Sequence, residues 1–237
     1  MDTKNTLTVP LAIVVAGLLI AGAIFFSRGG VPSFPKGATG EENAPVPTAA
    51  APMRPVDATD HIKGNPNAEL VIVEYSDTEC PFCKRFHETM QQVIDEYGKS
   101  GKVAWVYRHF PLEQLHAKAR SEAEATECAA ELGGNTGFWK YLDELFRVTP
   151  SNDGLPAAEL AGIAGRAGLD RAAFEACRAS GRHAKRVQTD YDDAVASGGS
   201  GTPWSIILAK DGKKVPINGA QPYETVKQTI DALLKKI

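Results

Sequence analysis

Residues 69 to 87 constrain the fold more than any other stretch: ELVIVEYS (Glu69 to Ser76) is followed almost at once by ECPFCKRFH, which puts Cys80 and Cys83 three positions apart. The first segment is short, β-branched and preceded by GNPNA, the signature of a buried strand. Helical spacing then takes over from Cys80 to Tyr97, with Phe82, Phe86, Met90 and Val93 at intervals of three and four and Gly98 as the stop. KVAWVYRHF (Lys102 to Phe110) reads as a second strand, cut off by Pro111. Strand, helix and strand within about 40 residues make a βαβ unit, whose two strands must lie parallel through a right-handed crossover.

Downstream the pattern changes. LHAKARSEAEATECAAELGG, FWKYLDELFRV, PAAELAGIAGRAG, DRAAFEACRAS and RVQTDYDDAVAS all favour helix, each bounded by Gly, Pro, Asn or Asp, so residues 115 to about 197 are expected to form a helical insertion. Its aromatic cluster around Phe138, Trp139, Tyr141 and Phe146 reads as helix core. Strands return with WSIILAK (Trp204 to Lys210) and, after a turn at Asp211 and Gly212, KVPIN, the pattern of a hairpin. A final helix is expected from Tyr223 to Lys236.

Upstream, VPLAIVVAGLLIAGAIFF (Val9 to Phe26) is an uncharged apolar run of 18 residues, close to the minimum for a membrane-spanning helix. No small-x-small cleavage site closes it cleanly, and no cysteine follows immediately that could carry a lipid, so residues 1–28 are expected to be a membrane anchor rather than a signal sequence. Residues 29–59, rich in Pro, Gly and Ala and without periodicity, are expected to be a flexible linker, leaving a domain at 60–237. A net charge of -3 offers no nucleic-acid footprint. An even set of four cysteines (Cys80, Cys83, Cys128, Cys177) beyond an apolar segment suits an oxidising compartment, which places the domain outside the cytoplasm, on a single-pass anchor.

The paired cysteines admit several chemistries. A zinc site needs a second close pair of ligands, and in sequence Cys128 and Cys177 stand far apart, so no metal is expected. Covalent haem requires His after the second cysteine, but Lys84 stands there. A structural staple remains open, although so short a loop gains least from closure. Redox exchange fits the local physics: Cys80 at a helix start meets unsatisfied N–H groups and the positive end of the macrodipole, which favour thiolate, and Pro81 suits the first turn. Cys83, about 5 Å away if helical, lies within disulfide reach.

Strand, CPFC at a helix start, second strand, helical insertion and then GTPW (Gly201 to Trp204) entering a late strand resemble the DsbA family of extracytoplasmic thiol-disulfide oxidoreductases, in its membrane-tethered form, over about Asp60 to Leu234. The resemblance implies an α/β thioredoxin-like fold with a helical insertion. It implies that Cys80 is the nucleophile and Cys83 its partner. Thr202 and Pro203 then form a cis-proline loop that, with Pro81 and Phe82, meets substrate, and Glu74 is a buried acid relaying protons to Cys83. It further implies secreted or periplasmic protein thiols as substrates, no cofactor, and a membrane redox partner, either a quinone-linked oxidase or an electron carrier. Phe82 departs from the family's CPHC pattern, which leaves the redox poise open. Reductase, isomerase and non-catalytic peptide-binding module remain alternative readings. His87 is expected to be a solvated helix residue, and His61, His109, His116 and His183 carry no motif. Cys128 and Cys177, on two helices of the insertion, are expected to form a structural disulfide rather than stay free thiols.

Overall fold

The computed structural model describes residues 52–237. The expected membrane anchor and most of the linker lie outside these residues; among the described residues no helix is long and apolar enough to cross a membrane.

Five strands form one sheet in the order β1-β3-β2-β4-β5: β1 (His61–Lys63), β2 (Leu70–Ser76), β3 (Val103–His109), β4 (Trp204–Ala209) and β5 (Lys214–Asn218). β2 and β3 pair in parallel, as the βαβ reading requires, and the other pairings are antiparallel. Three-residue β1 was not foreseen, since HIK is too short and polar to show a period; it exists because β3 offers it a free edge, with Ile62 opposite Val106.

Both faces of the central strands are covered, and the two-residue period sorts their side chains. Leu70, Ile72, Trp105 and Tyr107 face one core, shared with Phe86, Met90 and Val93 of α1 (Pro81–Val93) and with Val226, Ile230 and Leu233 of α6 (Tyr223–Leu234). Val73, Tyr75 and Val106 face another, closed by Phe110 and by Ala194 of α5 (Ala184–Ala196). Glu74 falls on the first face, beneath the helix that carries the cysteines.

α1 is followed by a single π-helical turn, Ile94–Gly98, that buries Tyr97 and lets its hydroxyl donate to Asp231 at 2.7 Å. The first two helical segments of the insertion run on as α2 (Ala119–Val148), broken at Gly134, where φ is 62° and ψ -160°. Glycine is needed there for the left-handed backbone, and at Gly137 for proximity, since a Cβ would lie 2.6 Å from the Ala129 carbonyl oxygen. α3 (Glu159–Arg166) and α4 (Arg171–Ser180) pack on α2 around Tyr141, Leu145, Leu160, Ile163 and Phe174. The Cys128–Cys177 disulfide lies in this cluster and ties α2 to α4.

The chain is held to the domain from before residue 60. Fully buried Arg108 of β3 grips Asp60 with two nitrogens, at 2.9 and 2.8 Å, and Asp193 of α5 at 2.7 Å. It also donates to the carbonyls of Arg54 and Pro55. Arg54 in turn reaches Asp60 at 2.6 Å and Asp190 at 2.9 Å. Every arginine donor of Arg108 finds an acceptor, which is what makes so buried a cation tolerable.

Candidate active site

β2 ends at Ser76, and Asp77 organises the turn that follows. One carboxylate oxygen accepts the N–H of Glu79 at 2.8 Å; the other accepts the N–H of Leu112 at 2.9 Å and meets His116 Nδ1 at 2.9 Å. That clamp delivers Cys80, in extended backbone, to the N-cap position of α1, with Pro81 in the first turn. Proline costs nothing there because the N–H it lacks would have no helical acceptor.

The two sulfurs are unbonded and occupy different environments. Cys83 is wholly sealed, its Sγ accepting the Asp77 N–H at 3.4 Å. Cys80 keeps a sliver of exposure, 4 %, and its thiol donates to the Thr202 carbonyl at 3.6 Å. The Thr202–Pro203 peptide bond is cis and leads directly into β4. The hydrogen bond from Cys83, more than the burial that opposes it, pulls the Cys80 pKa down to about 6; the Thr202 side chain and the N–H groups of Cys83 and Phe82 act in the same direction. Burial first, then the neighbouring Cys80, pushes Cys83 well above the ordinary thiol range. One sulfur is built to be thiolate and the other to hold its proton.

Glu74 sits under this pair, fully buried, with Oε2 accepting the Trp105 indole N–H at 2.9 Å. Burial raises its pKa to about 7, and the charge on Cys80 adds to the shift. A carboxyl poised near neutrality beside a thiol that resists ionisation has the chemistry of a proton reservoir. Phe82 is 54 % exposed, its ring 5.2 Å from the Arg85 guanidinium. The structure thus brings Glu74, Cys80, Pro81, Phe82, Cys83, Thr202 and Pro203 to one end of the sheet, while Cys128 and Cys177 stand apart in the insertion.

Several groups near the site escaped the sequence reading. His87 is buried, not solvated: its Nε2 meets Asp143 at 2.8 Å, and burial lowers its pKa although Asp143 opposes the shift. The spacing held the signal, because His87 follows Cys83 by four and precedes Met90 by three, on the apolar stripe. His116 is raised by the Asp77 carboxylate and the Cys80 charge, which outweigh burial. Glu79, immediately before Cys80, is fully buried, and its Oε2 accepts the Asp153 N–H at 2.7 Å. Burial and the nearby Glu79 push Glu122 up to about 9, which keeps it protonated at neutral pH. Asp153 belongs to a run of three left-handed residues, Ser151, Asn152 and Asp153, whose backbone packs on Glu79.

A family model described as thioredoxin matches residues 57–232. The fold aligns with Pseudomonas aeruginosa DsbA2 at 30 % identity and a TM-score of 0.65, over 78 % of this chain and 99 % of that one. It also aligns with BdbD from Bacillus subtilis in its oxidised form, at 20 % identity and a TM-score of 0.68, over 79 % of this chain and all of that one. Among curated relatives it is 36 % identical over 169 residues to the Na(+)/H(+) antiporter NhaA 1 of Mycolicibacterium gilvum, covering 70 % of this chain and 26 % of that protein. With NhaA 3 of Salinispora tropica it shares 38 % over 156 residues, covering 65 % and 22 %. The chain spans about a quarter of the length of the curated relatives it matches.

Proposed function

The chain belongs to the thioredoxin family, in its DsbA branch of disulfide oxidoreductases, and from that premise we propose that it oxidises the thiols of secreted proteins by disulfide exchange at Cys80. The observation that carries this reading is the placement of the two cysteines, Cys80 at the start of α1 against the Thr202 carbonyl of the cis Thr202–Pro203 bond and Cys83 sealed beneath it, which lowers the first pKa and raises the second. In the oxidised protein a substrate thiolate attacks Cys80 Sγ, the Cys80–Cys83 bond breaks, and Cys83 leaves with the electron pair and takes a proton, for which Glu74 is the donor in reach of the buried site. A second substrate thiolate then attacks the mixed disulfide at the substrate sulfur, releasing Cys80 as a thiolate and the substrate with its new disulfide. Low pKa makes Cys80 the better leaving group in that second step, and a stabilised thiolate makes the reduced protein a product worth reaching, hence an oxidant.

Pro81, Phe82, Thr202 and Pro203 form the surface that receives the substrate: Phe82 offers an exposed apolar ring and the cis Thr202–Pro203 segment a backbone carbonyl beside the sulfur. The apolar run Val9–Phe26 supports a single-pass membrane anchor and the even set of four cysteines a domain outside the cytoplasm, and regeneration then falls to a membrane partner, a quinone-linked oxidase. Mixing the oxidised full chain with a reduced dithiol peptide tests the chemistry. One peptide disulfide should form per chain while Cys80 and Cys83 become alkylatable; a peptide left reduced while the chain stays oxidised refutes the exchange. A membrane-impermeant thiol label tests the topology, since it must reach Cys80 in intact reduced cells.

A further inference from the structure

The fold assembles a ligand set that the spacing of the sequence hides. Cys128 and Glu131 lie one turn apart on the same face of α2, Cys177 comes from the end of α4, and His183 from the N-cap position of α5. The donor atoms of Cys128, Cys177 and His183 all lie within 4.8 Å of one another. Glu131 Oε2 stands 3.9 Å from Cys177 Sγ and 3.0 Å from His183 Nε2, so four donors from three helices converge. While the disulfide is closed, its sulfurs have no charge to offer a cation. Opening it changes the chemistry of the place completely.

We propose that, when the Cys128–Cys177 disulfide is reduced, the two thiolates, His183 Nε2 and Glu131 Oε2 form a tetrahedral zinc site that keeps α2, α4 and α5 joined. Two soft thiolates with one imidazole and one carboxylate select zinc over calcium or magnesium, which take oxygen donors. Charge also closes: two thiolates and Glu131 carry three negative charges, met by Zn2+ and by Arg182, whose Nη1 lies 3.3 Å from Glu131 Oε1. Both cysteines are buried, but His183 is partly exposed, so an ion has a way in and the bound metal a dry surround. The cluster of His109, Glu127 and Asp190 differs in this respect, because Arg186 and Arg54 already supply its cations.

Metal and disulfide exclude each other. Reduction by a phosphine consumes one water, yields the phosphine oxide and leaves two thiols; zinc then displaces both thiol protons. A disulfide reagent reverses this, taking two electrons and supplying two thiolates that are protonated as zinc is released, so the insertion is held by one link or the other.

The full chain carrying Cys80→Ser and Cys83→Ser, in detergent, removes the other thiols from competition. Reduced with a water-soluble phosphine, desalted and titrated with Co2+, it should bind one ion per chain with the thiolate-to-cobalt charge-transfer absorption of a tetrahedral site, and zinc should displace the cobalt. The oxidised protein should bind none. His183→Ala should weaken binding by more than about tenfold, the lower end of what removing even an outer-shell partner of a metal ligand costs. Absence of the charge-transfer band in the reduced chain overturns the proposal. So does an unchanged affinity in His183→Ala, which is what thiols of an unfolded chain scavenging metal would give.

Discussion

Replacing Cys83 by alanine removes the largest of the contributions that hold Cys80 below the ordinary thiol range. The whole displacement, from 9.0 to about 6, amounts to roughly 4 kcal/mol in favour of the thiolate. A hydrogen bond to a charged group contributes about 1.5–3 kcal/mol, so its loss should raise the Cys80 pKa by roughly one to two units, to about 7–8. The rest stays with the N–H groups of the helix start and with Thr202. Thiolate ultraviolet absorbance followed against pH measures the value directly, and the pH dependence of alkylation by iodoacetamide checks it. Cys83→Ser, which keeps a donor at the same place, should stay within about half a unit of the parent. If Cys83→Ala still titrates near 6, the helix terminus alone sets the pKa, and the division of labour drawn between the cysteines is wrong.

The stability of the reduced protein should follow the same group. Because the folded pKa is depressed, the stabilisation is complete above about 9 and is lost as pH falls through about 6. At pH 7 it amounts to only about 1.4 kcal/mol, equivalent to about 30 mV in a two-electron couple; denaturant melts of the parent and of Cys80→Ser should converge toward pH 6 and separate above it. Glu74 acts with the opposite sign: raised from 4.5 to about 7, it costs stability as pH climbs through that window, and Glu74→Gln should flatten the profile there while slowing exchange at Cys83. Arg108→Met takes from Asp60 and Asp193 their fully buried cation, leaving only the part-exposed Arg54 and Arg186 near them, and should cost about 3 kcal/mol in urea unfolding. Cys128→Ala with Cys177→Ala opens a loop with a sequence separation of 49, worth about 4 kcal/mol in the chain-entropy picture and roughly 8–16 °C in Tm, with exchange activity kept.

What the sequence disclosed was whatever is local. β2 and β3 were legible because both faces of each are covered, which forces continuous apolar runs, and α1 because Phe86, Met90 and Val93 repeat at helical spacing on its buried side. The cysteine pair and the Thr202–Pro203 dipeptide were legible because their chemistry depends on a few adjacent residues. The Cys128–Cys177 bridge followed from their standing in two helices of one insertion. Long-range electrostatics left no such trace: a buried Arg108 inside an apolar strand requires carboxylates, but nothing near it in sequence says that Asp60 and Asp193 supply them. Glu79 and Glu122 are separated by α1, a π-helical turn and β3, so the raised carboxyl of Glu122 emerges only when α2 brings it against Glu79 in the turn after β2. The burial of His87 was legible too, since its place on the apolar stripe outweighs its polarity.

The account rests on Cys80 being the sulfur that meets substrate, and trapping tests that most directly. Incubated with a reduced, unfolded secreted protein in the presence of an oxidant, Cys83→Ser should accumulate a mixed disulfide through Cys80, visible on nonreducing gels and released by dithiothreitol, because the resolving thiol is gone. Cys80→Ser, whose remaining sulfur is fully buried, should trap little or nothing. Equal or stronger trapping by Cys80→Ser would contradict the assignment and reverse the roles of the two cysteines.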